Sequence, residues 1–134
     1  MPRKDYMMRY FEQLGVVLAA LLGFRAKRDY DQAFELIRTT LDNLPDFYYE
    51  LANLDTDDFF EKVTGSEANT VEKTEMIATL LYEEAEFLIL SGDRQKAADR
   101  YHKALLLLEY ADRATGYYSV ERSQRIDRCR KMTG

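Results

Sequence analysis

The sequence predicts an all-α fold, and three observations predict it. Apolar residues recur at steps of three and four through most of the 134 positions. No apolar–polar alternation of the kind a strand needs survives beyond four residues; the Leu105–Leu108 run is short and embedded in helix signals. Cap and stop residues fall where the helical periodicity breaks, and two prolines and six glycines are as few as a mostly helical chain uses.

The first helix is expected over 5–24. Tyr6, Tyr10, Leu14, Val17, Leu21 and Phe24 stack on one stripe, which Met7, Phe11, Leu18 and Leu22 widen enough to imply burial on more than one side. The run Arg25-Ala-Lys-Arg breaks it. Asp29 then caps a second helix with Gln32 three residues on, close to a capping box, and Ala33, Phe34, Ile37 and Leu41 form its apolar face. Pro45 stops that helix, because the residue before a proline is pushed out of the helical region. Residues 46–64 are the least regular. They read as two short helices, one begun by Pro45 and carrying Phe47, Tyr48, Leu51 and Leu54. The other is capped by Asp55 or Thr56 and buries Phe59, Phe60 and Val63.

A long helix begins after Asn69-Thr70, with Glu72 and Glu75 near its positive end, and ends at Ser91-Gly92. Met76, Ile77, Leu80, Leu81, Ala85, Leu88 and Ile89 give it a wide apolar face. The next runs from Asp93 to about Asp112 and carries Ala97, Tyr101 and Ala104 at steps of four and three. A last helix, 119–131, has only Val120, Ile126 and Cys129 as apolar content, so one flank is expected to be wet.

At this length the chain is one domain, large enough to bury a core. A single cysteine, Cys129, excludes an internal disulfide and fits a reducing, cytoplasmic setting. Ten tyrosines without a tryptophan supply rings that pack by one face and hydrogen-bond at the tip. The net charge of −5 conceals a segregation. Residues 1–28 carry six basic and two acidic side chains, 29–93 three and seventeen, and 94–134 ten and five. Segments of opposite sign complement each other when folded together; the functional alternative is an acidic surface that draws a basic partner or sets an association face. The uncharged stretch Leu14–Phe24 follows Arg3, Lys4 and Arg9, yet Asp5 and Glu12 intrude, no small-residue cleavage site follows, and eleven residues fall short of a bilayer's twenty or so. A buried helix is expected there, with no membrane association.

Residues 78–109 resemble a tetratricopeptide repeat (TPR), a pair of antiparallel helices. The matches are Leu81, Ala85 and Leu88, then Gly92 at the turn, then Ala97, Tyr101, Ala104 and Leu105; Glu84 departs, standing where the family is usually apolar, and Glu109 stands where the unit-ending proline is often found. A second copy lies over 14–47, with Val17, Ala20, Phe24, Ala33, Ile37 and Pro45 matching, and with Arg28 in place of the turn glycine and Thr40 in place of a small apolar residue. The opening residues 5–14 also resemble the start of an uncharacterised family of small bacterial helical proteins. Together these resemblances imply TPR-like hairpins at about 5–43 and 70–112 in a right-handed helical stack. The short irregular helices at 46–64 and the closing helix at 119–131, read above from the residues themselves, complete the single domain. The resemblances also imply a partner lying along the first helices of the hairpins, for which Thr79, Tyr82, Glu86 and Ile89 are the candidate contacts.

No reaction chemistry is legible. His102 is the only histidine, and no second histidine or cysteine joins it in a zinc set. Cys129 sits among Arg125, Arg128, Arg130 and Lys131, whose charge favours a reactive thiolate, against the plainer reading of an incidental thiol near a frayed end. Glu83, Glu84 and Glu86 lack the histidine three residues on that carboxylate-bridged metal bundles use, and read as a solvated acidic face. The basic stretch from Arg122 to Lys131, with Tyr117 and Tyr118 upstream, is outweighed as a nucleic-acid signal by a pI near 5. The expectation is a non-catalytic protein-interaction module, binding a protein partner or itself, with no cofactor, metal or nucleic acid. The alternative is a small helical ligand-binding protein or enzyme with a Tyr- and Glu-lined pocket. The wide apolar face of the first helix further predicts antiparallel self-association, unless residues 46–64 cover it.

Overall fold

The computed structural model describes residues 3–134, with side chains from Met8 onward, and is all-helical, with no strand among the described residues. Its elements are α1 (Arg3–Ala26), α2 (Tyr30–Asp42), a 3₁₀ turn (Tyr49–Asn53), α3 (Thr56–Thr64), α4 (Val71–Ser91), α5 (Arg94–Thr115) and α6 (Val120–Thr133). The side chains of Tyr6 and Met7, expected on the first stripe, lie outside the described residues.

The centre is the α4–α5 pair. Gly92 ends α4 in the left-handed region (φ 94°), its N–H and that of Asp93 returning to Ile89 O and Leu88 O at 3.1 and 2.9 Å. Asp93 then accepts the Lys96 N–H (3.1 Å) and starts α5. Ala97 and Ala104 are fully buried, as is Tyr101, so the two helices meet on methyl groups with one ring filling the space between. Phe87 of α4 holds α2 by edge-on contacts with the Tyr30 and Phe34 rings (6.1 and 6.3 Å). Ala33, Ile37 and Leu41 bury the expected face of α2, and Val17 and Leu21 seat α1 against α2 and α4. α6 closes the other side of α5 with Ile126 and Cys129, leaving Val120 exposed.

Side-chain caps start four more helices, at the expected Asp29 and Asp55 and at the boundary residues Thr70 and Ser119. Asp29, Asp55, Thr70 and Ser119 each accept a backbone N–H three residues on, at 2.9–3.3 Å. The helix expected to start at Pro45 is different. Asp46 turns left-handed (φ 55°), Tyr48 is extended, and Asp42 Oδ1 takes the Tyr49 N–H at 2.7 Å, so only a 3₁₀ turn follows. This irregular segment packs on α2 and, through α3, on α5. Phe47 meets Phe59, and Phe60 meets Tyr110. No helix among the described residues is long and apolar enough to cross a membrane.

Candidate functional site

Three arginines of α5 and α6 reach carboxylates of α4, and the middle one of the three glutamates expected to be solvated is the most enclosed. Glu84 is buried and accepts Arg100 Nε at 2.6 Å and the Tyr49 hydroxyl. Arg100, 2% exposed, spends its other N–H groups on Ala52 O (2.8 Å), Asp99 Oδ2 (2.6 Å), Asn53 Oδ1 (2.8 Å) and Tyr49 Oη (3.3 Å). Lys103 donates to the same Ala52 O (2.7 Å) and to Asp99 (2.9 Å). The knot fastens the 3₁₀ turn to the central pair. Burial, with the Glu84 charge beside it, pushes the Tyr49 phenol up to about 12.

Arg122 is the second such residue, fully buried between Glu75 and Asp112 (2.9 Å each) and donating also to Tyr117 O at 2.6 Å. The Tyr117 ring lies 5.3 Å from its guanidinium carbon. The third is Arg128, which donates to Glu86 at 3.2 Å. Glu86 also accepts the Tyr82 hydroxyl at 2.9 Å and the Tyr101 hydroxyl. Burial acts to raise the Glu86 carboxyl, yet the hydrogen bonds from Tyr101, Tyr82 and Arg128 together hold it below the usual range. Burial pushes both phenols well above their ordinary value. Glu83 is half-buried, and its carboxyl is raised by burial against the opposing charges of Arg125 and Arg25.

Of the four contact residues expected from sequence, Thr79 is fully buried, its hydroxyl donating to Glu75 O (2.8 Å), which leaves it no surface for a partner. Tyr82, Glu86 and Ile89 are half-buried on one side of α4. The first two are bound to each other, and Ile89 rests against the core. Above this face, α1, α4 and α6 enclose only about 200 Å³, lined by Tyr10, Leu14, Glu72, Glu75 and Thr79 among others. Cys129 is neither frayed nor activated. It is fully buried, and burial, reinforced by the Glu86 charge, pushes its thiol up to about 12. His102 is exposed, and no cluster of three or more candidate metal ligands forms among the described residues.

The roomier surface feature is a cleft of about 730 Å³ between the 44–54 segment and α3. Tyr48 (55% exposed), Leu51 and Leu54 form an apolar wall, and Asp46, Asp58 and Glu61 stand around it beside a single cation, Lys62. Asp55, which caps α3, lies close enough to Asp58 to raise its carboxyl by hydrogen bonding and repulsion. Sequence reasoning passed over this site because its residues come from the irregular stretch, where periodicity marks no face. The only available signal was the acidic excess of 29–93.

Comparison with known proteins finds no matching family model, no matching curated protein and no matching solved structure.

Proposed function

We propose that the protein is a non-catalytic helical interaction module that receives a basic, apolar-bearing segment of a partner protein in the cleft between residues 46–54 and α3. The observation that carries this reading is the pairing, in one cleft of about 730 Å³, of an apolar wall with three carboxylates and one cation. Lysine or arginine side chains arriving there would relieve the crowding of Asp58 by Asp55, while leucine-type side chains would cover Tyr48 and Leu54. Attraction of this kind raises the encounter rate and fails at high salt. The ligand-binding or enzymatic alternative has less support. Two Tyr- and Glu-lined spaces lie beside α4, one of about 200 Å³ at Tyr10 and Glu75 and one of about 330 Å³ at Tyr49 and Glu84, below or at the bottom of the roughly 300–1,000 Å³ of small-molecule sites. The perturbed Tyr49, Tyr82, Tyr101 and Cys129 all hold their protons more tightly, the opposite of an activated nucleophile. The TPR resemblance of 78–109 supports an adaptor role as well, although the favoured surface lies outside that hairpin.

The test is amide chemical-shift mapping with a synthetic amphipathic Leu/Lys peptide of about four helical turns. Shifts concentrated at residues 46–66 support the proposal. Shifts concentrated at Tyr82, Glu86 and Ile89 would move the surface to α4, and dispersed shifts would reject a defined site.

A further inference from the structure

We propose that two copies of the chain pair antiparallel through the outer faces of α1, about a two-fold axis passing beside Ala19. This surface is separate from the acidic cleft, and the inference stands without that reading. Val16 and Leu22 are 72% and 69% exposed, and Met8 and Phe11 about half, although α1 already has its own buried side in Val17 and Leu21. Residues 46–64, the other possible cover, pack on α2 and α5 instead.

The helix also carries two glycines for which its own chain gives no reason. A Cβ added at Gly15 or at Gly23 would meet nothing within 4 Å. Each costs a helix interior about 1 kcal/mol relative to alanine. The space they leave is useful only to something that approaches from outside.

The register follows from helical geometry. At about 100° per residue, Gly15, Ala19 and Gly23 lie along one strip, with Leu22 about 60° to one side and Val16 about 60° to the other. An antiparallel partner turned about Ala19 places Leu22 over the Gly15 of the second copy and Val16 over its Gly23. Each large side chain thus meets a missing one. The self-complementary register selects a second copy as the occupant, and one charge pair favours the antiparallel orientation, with exposed Arg9 on the same flank opposing it in part. On the Val16 side the strip is flanked by the exposed Glu12 at one end and, just past the helix end, by the exposed Lys27, whose N–H still bonds Gly23 O at 3.2 Å. Antiparallel pairing sets Glu12 against Lys27 in both directions, whereas parallel pairing sets each against its own copy.

Sedimentation equilibrium of the full chain, from about 1 to about 500 µM, reads the association. The expected result is a monomer–dimer equilibrium, with Val16→Glu and Leu22→Glu each raising the dissociation constant at least about tenfold, because each buries a charge at the contact. Both positions are exposed in the monomer, so the thermal melt of dilute protein stays unchanged. Glu12→Lys or Lys27→Glu alone weakens pairing about threefold, and the two together restore it. As an independent reading, Ala19→Cys forms a symmetric disulfide dimer under mild oxidation, whereas Gln13→Cys, exposed off the strip, does not. Native Cys129 is buried and takes no part. A single 15.7 kDa species throughout overturns the proposal. So does association untouched by Val16→Glu and Leu22→Glu, and a charge swap that fails to restore pairing overturns the antiparallel register.

Discussion

At Arg28 the chain takes a left-handed turn (φ 57°) to connect α1 and α2, a conformation that strains any residue with a Cβ. The equivalent turn between α4 and α5 uses Gly92, where an added Cβ would meet no neighbour and the penalty is conformational alone. Denaturant unfolding will therefore show Gly92→Ala destabilised by about 1 kcal/mol and Arg28→Gly stabilised by somewhat less than that, since glycine also loosens the unfolded chain. The buried pair Glu84–Arg100 behaves differently. Glu84→Leu leaves a guanidinium enclosed with its main counter-charge gone, and is expected to cost about 3 kcal/mol or more. The double variant with Arg100→Met costs less than the sum of the singles. Cys129 supplies a pH dependence. Its folded thiol stays protonated to about pH 12, above its ordinary value, so the folded state holds that proton more tightly than the unfolded chain. The associated stability is complete below the unfolded pKa, about 8.5, and is lost as pH rises from there toward the folded value. Tyr49 acts in the same direction from its own ordinary value upward. Urea midpoints will fall between about pH 8 and pH 10.5, and Cys129→Ala will flatten part of that fall.

At the scale of elements, the α4–α5 interface is set by the alanines. Ala97 and Ala104 are fully buried, so Ala97→Leu overpacks the contact and is expected to cost about 1–3 kcal/mol; an unchanged thermal melt would contradict the close approach. Five of the six helices begin at a side chain that caps (Asp29, Asp55, Thr70, Asp93, Ser119), and all continue at a helical period, which made them legible. What periodicity cannot convey is which charged side chain turns inward. Glu84 and Arg122 look solvated on a helical wheel, since each meets its partner only across helices, sixteen and forty-seven residues away for Arg100 and Glu75. The departure of Glu84 from the repeat pattern was the available clue, and Arg100 explains it. The 44–54 segment was misread for a related reason. Its path is set by one long-range bond from Tyr49 N–H to Asp42 and by the Arg100 knot, neither of which has a local signature. The cleft is built on that segment, so the candidate site was less legible than the fold.

For the whole molecule, the charge segregation of the sequence resolves into two parts. Much of the basic excess of 94–134 is used inside, where Arg100, Arg122 and Arg128 pair with Glu84, Glu75 and Glu86 of the acidic middle. Other acidic side chains stay outside, and three of them, Asp46, Asp58 and Glu61, stand around one cleft. Of the basic residues of 1–28 whose side chains are described, Arg9, Arg25, Lys27 and Arg28 are exposed on and after α1. On the two proposals above, one face would receive a basic segment and another its own copy. The first is the central claim. Its most direct measurement is the affinity of a fluorescein-labelled Leu/Lys peptide for the native chain, for Asp46→Asn/Asp58→Asn/Glu61→Gln, and for a control with the exposed Asp31, Glu121 and Asp127 neutralised instead. At low salt the cleft variant is expected to bind about tenfold or more weakly and to lose most of its salt dependence, while the control changes less than about threefold. Equal losses in the two variants would mean that only net charge is felt, and would contradict the assignment of the cleft.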